Sequence, residues 1–273
     1  MKAPSPPSRV LAAAVVAALA SWLAAAGCAS SGVNQGDVNL VSLEQEWQLG
    51  QQLEADIARQ LRLSRDSALN NYVSSLGQRL VAQTEMRNLP WEFHVVEDPE
   101  INAFNIPGGH VYVNTGLIAA ADNASELAGV MAHEIAHGVS RHGTEQLTRT
   151  YGLNILASLL LGENPAAYQQ ILAQVLGTGA IARFSRSAEQ EADVLGVRTM
   201  YQARYHPEGL IGIFQKLLSR RQGNPNSVDK FFSTHPLTEN RIRDTREEIA
   251  KLPSTSGLQR DEAGFADARR RAR

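Results

Sequence analysis

The segment His133-Glu134-Ile135-Ala136-His137 constrains this chain more than any other. On an α-helix, residues four apart lie about 40° from one another around the axis, at roughly 100° per residue, so both imidazoles can reach one metal ion. Neutral imidazole nitrogens suit Zn2+, and Glu134, one step past the first histidine, can take a proton from water at that ion without ligating it. The preceding residues supply the helix. Asn123 or Ser125 is an N-cap of the right type, and Leu127, Val130 and Met131 recur at helical spacing beside the histidines. The pattern predicts an amphipathic helix that carries two of the three protein ligands a catalytic zinc needs. Chance produces such a pentapeptide in many long sequences, so the third ligand decides the reading.

His142 fails as that ligand on two geometries. The H-E-x-x-H-x-x-G-x-x-H pattern places a glycine midway between its second and third histidines, whereas here Gly138 follows His137 directly. If the helix simply continues, His142 lies about 180° from His133 and faces away. Further on, Ser187-Ala188-Glu189-Gln190-Glu191-Ala192-Asp193 reads as a helix start, with Ser187 as N-cap and Gln190 completing the box. Glu189 and Asp193 share a face, and Glu191 lies about 200° from Glu189. Glu189 is the expected third ligand, and Asp193 the carboxylate that accepts a hydrogen bond from the outer nitrogen of a ligating histidine. By themselves these residues also fit a solvated acidic first turn favoured by the helix dipole.

Four motifs in order, namely His133-Glu134-x-x-His137, Glu189-x-x-x-Asp193, Asn102-Ala103-Phe104 with Pro107-Gly108-Gly109, and Ser233-Thr234-His235-Pro236, resemble the gluzincin metallopeptidases. Within them, the chain is similar to the group of HtpX, the CAAX prenyl proteases and the Oma-type and outer-membrane quality-control proteases, over roughly residues 42–252. The resemblance implies an α+β, mainly α-helical domain with a small antiparallel or mixed sheet beside the metal helix. It implies one Zn2+ held by His133, His137 and Glu189, with Glu134 as general base for hydrolysis of unfolded or misassembled cell-envelope proteins. It also implies that His235 lies near the metal, either steadying the transition state or occupying the metal in a resting form. The alternative function is a chaperone or assembly factor for outer-membrane proteins whose metal is mainly structural. HtpX and the prenyl proteases carry transmembrane helices, whereas the apolar stretches 153–161 and 171–182 are short and interrupted by Asn154, Gln174 and glycines. These are expected to form a helical hairpin beside or over the site, and no tetratricopeptide-like repeat follows.

The remaining sequence frames this domain. Helices are expected from Ser42, where Ser42-x-x-Gln45 offers a capping box, and over 66–83; strands over 91–97, 101–106 and 110–114 follow. His94 is expected to point outward and not to ligate. Val111, Tyr112 and Val113, directly before the metal helix, are expected to pair with an extended peptide substrate. A helix starts after His206-Pro207, another runs over 238–251, and residues 253–273 read as a disordered polar tail. At the other end, Lys2 and Arg9 flank a start that leads into an alanine-rich apolar run and then Gly27-Cys28, the only cysteine. Residues 1–27 read as a lipoprotein-type signal peptide and 28–41 as a flexible tether. Ala25-Ala26-Gly27-Cys28 is similar to a lipobox with lipidation at Cys28, although that pattern prefers Leu where Ala25 stands. The chain is therefore expected to be exported and anchored at the periplasmic side of the outer membrane, because Ala29 and Ser30 lack the aspartate linked to inner-membrane retention. A soluble periplasmic protein is the alternative. A net charge of -2 and no basic stripe interleaved with aromatics argue against nucleic acid as a partner.

Overall fold

The structure, a computed structural model, describes residues 41–273 apart from 161, 179–182, 224, 225 and 227. The expected signal peptide, Cys28 and all of the tether but Val41 lie outside the described residues. Val41 itself is buried.

The first helix among the described residues, α1 (Leu43–Gln60), starts as its sequence dictates. Ser42 Oγ accepts from the Gln45 amide, and Gln45 Oε1 accepts from the Ser42 amide. Next comes α2 (Ser67–Val81), whose first-turn amides at Ala68 and Leu69 donate to the Asp66 carboxylate. Three strands follow, β1 (Glu92–Val96), β2 (Ala103–Ile106) and β3 (His110–Asn114), and then α3 (Thr115–Ala120) and α4 (Ala124–Val139), which carries the two histidines. The remaining helices are α5 (His142–Leu160), α6 (Pro165–Thr178), α7 (Arg186–Gln202), α8 (Glu208–Gly223), α9 (Asp229–Thr234), α10 (Glu239–Ala250) and α11 (Phe265–Arg271).

The sheet is mixed, with β3 in the middle: β1 pairs with it in parallel and β2 antiparallel. Alternation along the strands splits the molecule into two cores. Phe93, Val95, Ala103, Val111 and Val113 face a large core built on α2, α4, α7 and α8, whereas Val96, Phe104, Ile106 and Tyr112 face a second core under α1, α5 and α6. The β2–β3 turn needs glycine, because Gly108 and Gly109 both adopt positive φ, +87° and +77°. The central position of β3 corrects the expectation that Val111, Tyr112 and Val113 receive a substrate. All three are fully buried, and both edges of their strand are already paired. The parallel crossover that inserts β3 between its predecessors leaves no local sequence signal.

A second correction concerns α4, which is enclosed on all sides rather than amphipathic, every residue but Gly138 being buried. Its small residues allow this. A Cβ on Gly129 would stand 2.9 Å from the backbone of Leu210 on α8, so only glycine permits that crossing. The α5–α6 hairpin lies against α1, where Tyr168 Oη donates to Asp56. Among the described residues no helix is long and apolar enough to cross a membrane.

The expected disordered tail is the third correction. Leu258, Phe265, Ala268 and Ala272 are buried, Arg79 and Tyr205 bind Glu262 at 2.7 Å, and Arg271 Nη1 lies 2.9 Å from Asp66. Four apolar residues spread through a polar segment give no helical stripe; their partners on α2 and α3 supply the order. Phe265→Leu is accordingly expected to cost about 1 kcal/mol, read as a lower urea midpoint at unchanged slope. No change in midpoint would show that the segment contributes nothing to the fold.

On the α1 side of the sheet, burial pushes His110 down to about 4, and burial together with neighbouring His110 pushes His94 down to about 4. In the unfolded chain both titrate near 6.5, so below that pH the unfolded state binds more protons. Stability is therefore expected to be full above about pH 6.5 and to fall as pH drops from there towards 4. Thermal melts of wild type and His94→Gln/His110→Gln across that window test this: the variant should show the flatter profile.

Candidate metal centre

Two features of α4 and α7 bring the predicted ligands together. Asn123 caps α4 by accepting from the Glu126 amide, and on the resulting helix the His133 and His137 rings stand edge to face with their Nε2 atoms 3.1 Å apart. The cap of α7 is Ser185, which accepts from the Ala188 amide, and not Ser187, but Glu189 still falls in the first turn with Asp193 one turn on. Glu189 then reaches both imidazoles: Oε2 lies 3.6 Å from His133 Nε2, and Oε1 lies 3.5 Å from His137 Nε2. A fourth donor comes from the turn after α9. His235 Nδ1 stands 2.9 Å from Glu189 Oε1 and 3.4 Å from His133 Nε2.

This donor set fits a metal ion. All four residues offer atoms within 4.8 Å of one another. Ligands about 2.0–2.2 Å from a tetrahedral ion are separated by roughly 3.3–3.6 Å, which matches most of the observed spacings. The outer nitrogens also have polar neighbours, as ligating imidazoles require, although the one on His133 is in ion-pair range of its carboxylate and not in line for a hydrogen bond. His133 Nδ1 lies 3.0 Å from Asp193 Oδ1, and His137 Nδ1 lies 2.9 Å from His142 Nδ1.

Glu134 sits inside this group with no hydrogen-bond partner on either carboxylate oxygen; Oε1 is 3.4 Å from His235 Nε2. Burial raises its carboxyl above the usual range, against the pull of His235 and His133. Its backbone carbonyl accepts from Asn105 Nδ2 at 2.6 Å, which ties this turn of α4 to β2. Burial opposes ionisation of Glu189 as well, but His235 and Arg241 beside it hold that carboxyl well below its usual value. All five groups, His133, Glu134, His137, Glu189 and His235, are 0% exposed. Aromatic rings close the chamber: Phe184 stacks on His137 with centroids 4.0 Å apart, and Phe231 stacks on His235.

The structure also adds residues that the sequence did not reveal. Arg241 on α10 binds Asp193 through Nε and Nη2 at 2.8 and 2.7 Å, and its Nη1 donates to Glu189. A usable signal existed, since Arg241 lies beside Ile242, Thr245 and Ile249 on the only buried stripe of a highly charged helix. His142 lies outside the four clustered donors, yet it does not face away. Arg141 adopts φ +57°, which ends α4 and turns His142 back onto His137; its Nε2 lies 3.3 Å from Glu191.

Fold and site together have the H-E-x-x-H arrangement of the metallopeptidases, with a glutamate from a second helix beside the two histidines. The chain belongs to peptidase family M48, whose sequence profile matches residues 67–249. It is 35% identical over 176 residues to the mitochondrial metalloendopeptidase OMA1 of Schizosaccharomyces pombe, covering 64% of this chain and 52% of that protein. It is 34% identical over 219 residues to the beta-barrel assembly-enhancing protease of Escherichia coli (strain K12), covering 76% of this chain and 44% of the relative. The chain thus spans about half the length of these relatives.

Proposed function

We propose that this chain is a zinc endopeptidase that cleaves unfolded or misassembled polypeptides of the cell envelope. The observation that carries this reading is the meeting of three or four metal donors with one buried, unpartnered carboxylate. His133, His137 and Glu189 would hold the ion, with His235 as a fourth donor in the closed form. Imidazole and carboxylate donors suit Zn2+, which when bound polarises a carbonyl and makes nearby water more acidic. Glu134 is the only carboxylate at the centre free of hydrogen bonds, so it is the group able to take a proton from the attacking water and return it to the departing amine. His235 Nε2, released from its resting position, would donate to the oxygen that gains charge. An extended peptide would pair along β2, which is buried in this closed form but is an edge strand and holds the backbone of Glu134 through Asn105.

Because the groups at the centre are 0% exposed, a substrate would reach them after part of their cover moves, and Phe184 and the His235 turn belong to that cover. Phe184 and Thr234 share a backbone hydrogen bond, so the two can move as one unit. The relative named for endopeptidase activity supports the peptidase reading, and the one named for beta-barrel assembly supports an envelope role, as does the export-like start of the sequence. We extend this to lipid anchoring at Cys28 on the periplasmic side of the outer membrane. The sealed centre also favours a second reading, a chaperone or assembly factor whose metal is mainly structural.

The test is chelation and reloading. Stripped protein should lose cleavage of an unfolded, casein-type substrate and regain it with Zn2+, and Glu189→Ala should lose both metal and cleavage. Cleavage that survives both treatments would overturn the assignment.

A further inference from the structure

On the face of the sheet turned away from α4, three side chains converge that the proposed chemistry does not use. Glu92 and His94 are two apart on β1 and so share a face, and His110 is the register partner of Glu92 on β3. His94 Nε2 lies 3.5 Å from His110 Nδ1, and each of these nitrogens lies 3.8 Å from Glu92 Oε2. A point in the plane of this triangle is about 2.1 Å from all three atoms, which is the length of a Zn–N or Zn–O bond.

The two rings are held in place. His94 stacks on Tyr112 with centroids 4.7 Å apart and on His110 at 5.7 Å. Its side chain is 15% exposed and that of His110 only 5%, while Glu92 at 57% leaves the group open to solvent. Burial also keeps both imidazoles neutral at pH 7, the form in which they ligate metals. Two neighbours point the same way. Glu54 on α1 has its carboxyl raised by burial and then by the charge of Glu92. The Tyr112 hydroxyl is buried without a hydrogen-bond partner in the field of the same pair. A divalent cation would relieve that repulsion, and two imidazoles select a borderline ion over Mg2+ or Ca2+.

We propose that His94, His110 and Glu92 form a second divalent-cation site of Zn2+ type, separate from the metal centre on α4. It clamps β1 to β3 where α1 packs on the sheet. This site stands whether or not the α4 centre is catalytic.

The experiment is Zn2+ titration of chelator-stripped full-length protein, followed by calorimetry and metal analysis after desalting. Wild type should bind two equivalents. His94→Gln/His110→Gln should bind one, and Glu92→Gln, a change at an exposed residue that leaves the fold intact, should weaken the second equivalent at least tenfold. Glu189→Ala should keep that second equivalent while losing the first. Equal uptake by wild type and the double histidine variant, or an unchanged second affinity in Glu92→Gln, would overturn the proposal. Far-UV circular dichroism of each variant guards against a folding defect.

Discussion

Replacing Glu134 by glutamine is expected to lower kcat/KM on an unfolded protein substrate by about 10²–10⁴-fold with metal content unchanged. The amide is nearly isosteric, and Glu134 is not among the four clustered donors. What it removes is the ability to accept a proton, because an amide oxygen is a far weaker base than a carboxylate. The same change relieves a buried charge whose oxygens have no hydrogen-bond partner, so the variant should melt no lower than wild type. Loss of activity, retention of metal and retained stability together distinguish a catalytic base from a structural acid. Full activity in this variant would end that assignment, and complementation of a deletion strain by it would favour the chaperone reading.

Arg241→Leu is expected to destabilise the metal-free protein by about 3–5 kcal/mol, a drop of roughly 6–20 °C in Tm. Arg241 is 5% exposed and is the cation that binds both Asp193 and Glu189, lying also over the ring of Phe214 at 5.1 Å. Its removal leaves two buried carboxylates facing each other's field, and leucine fills the space without answering either charge. Metal loading neutralises Glu189, so the loss should shrink when Zn2+ is bound. The effect also has a pH signature. With its carboxyl held far down in the fold, Glu189 contributes stability that is fully present above its unfolded value of about 4.3 and is lost as pH falls through the depressed value. Without Arg241 that loss begins at higher pH. Arg241→Lys should recover only part of the stability, since one ammonium cannot replace a fork that binds two carboxylates at once. Equal melting temperatures for Arg241→Leu and wild type, both stripped of metal, would refute this role.

Much of the centre was legible because local spacing encodes which residues share a helix face. His133 and His137, and again Glu189 and Asp193, lie one turn apart, and each pair meets its expected partner. Caps at Ser42 and Asn123 were legible for the same reason: an N-cap bond spans three residues. His142 shows where this reasoning stops. Its position was judged on a continuing helix, and a single residue at positive φ, Arg141, changed the answer. His94 was read as an outward residue of a strand, whereas α1 covers that face and stacks it against Tyr112.

The sequence by itself determined where α1, α2, α4 and α7 run and four of the residues that meet at the centre, since these depend on periodicities of two to four residues. Only the tertiary structure decided that β3 is central and β2 the edge, that Arg241 joins both carboxylates, and that residues 253–273 pack as part of the body. Each of those outcomes depends on segments far apart in the chain, such as Arg241 with Asp193 or Glu262 with Arg79. Such contacts form by closing long loops, and a repeat of a few residues carries no information about which loop closes on which.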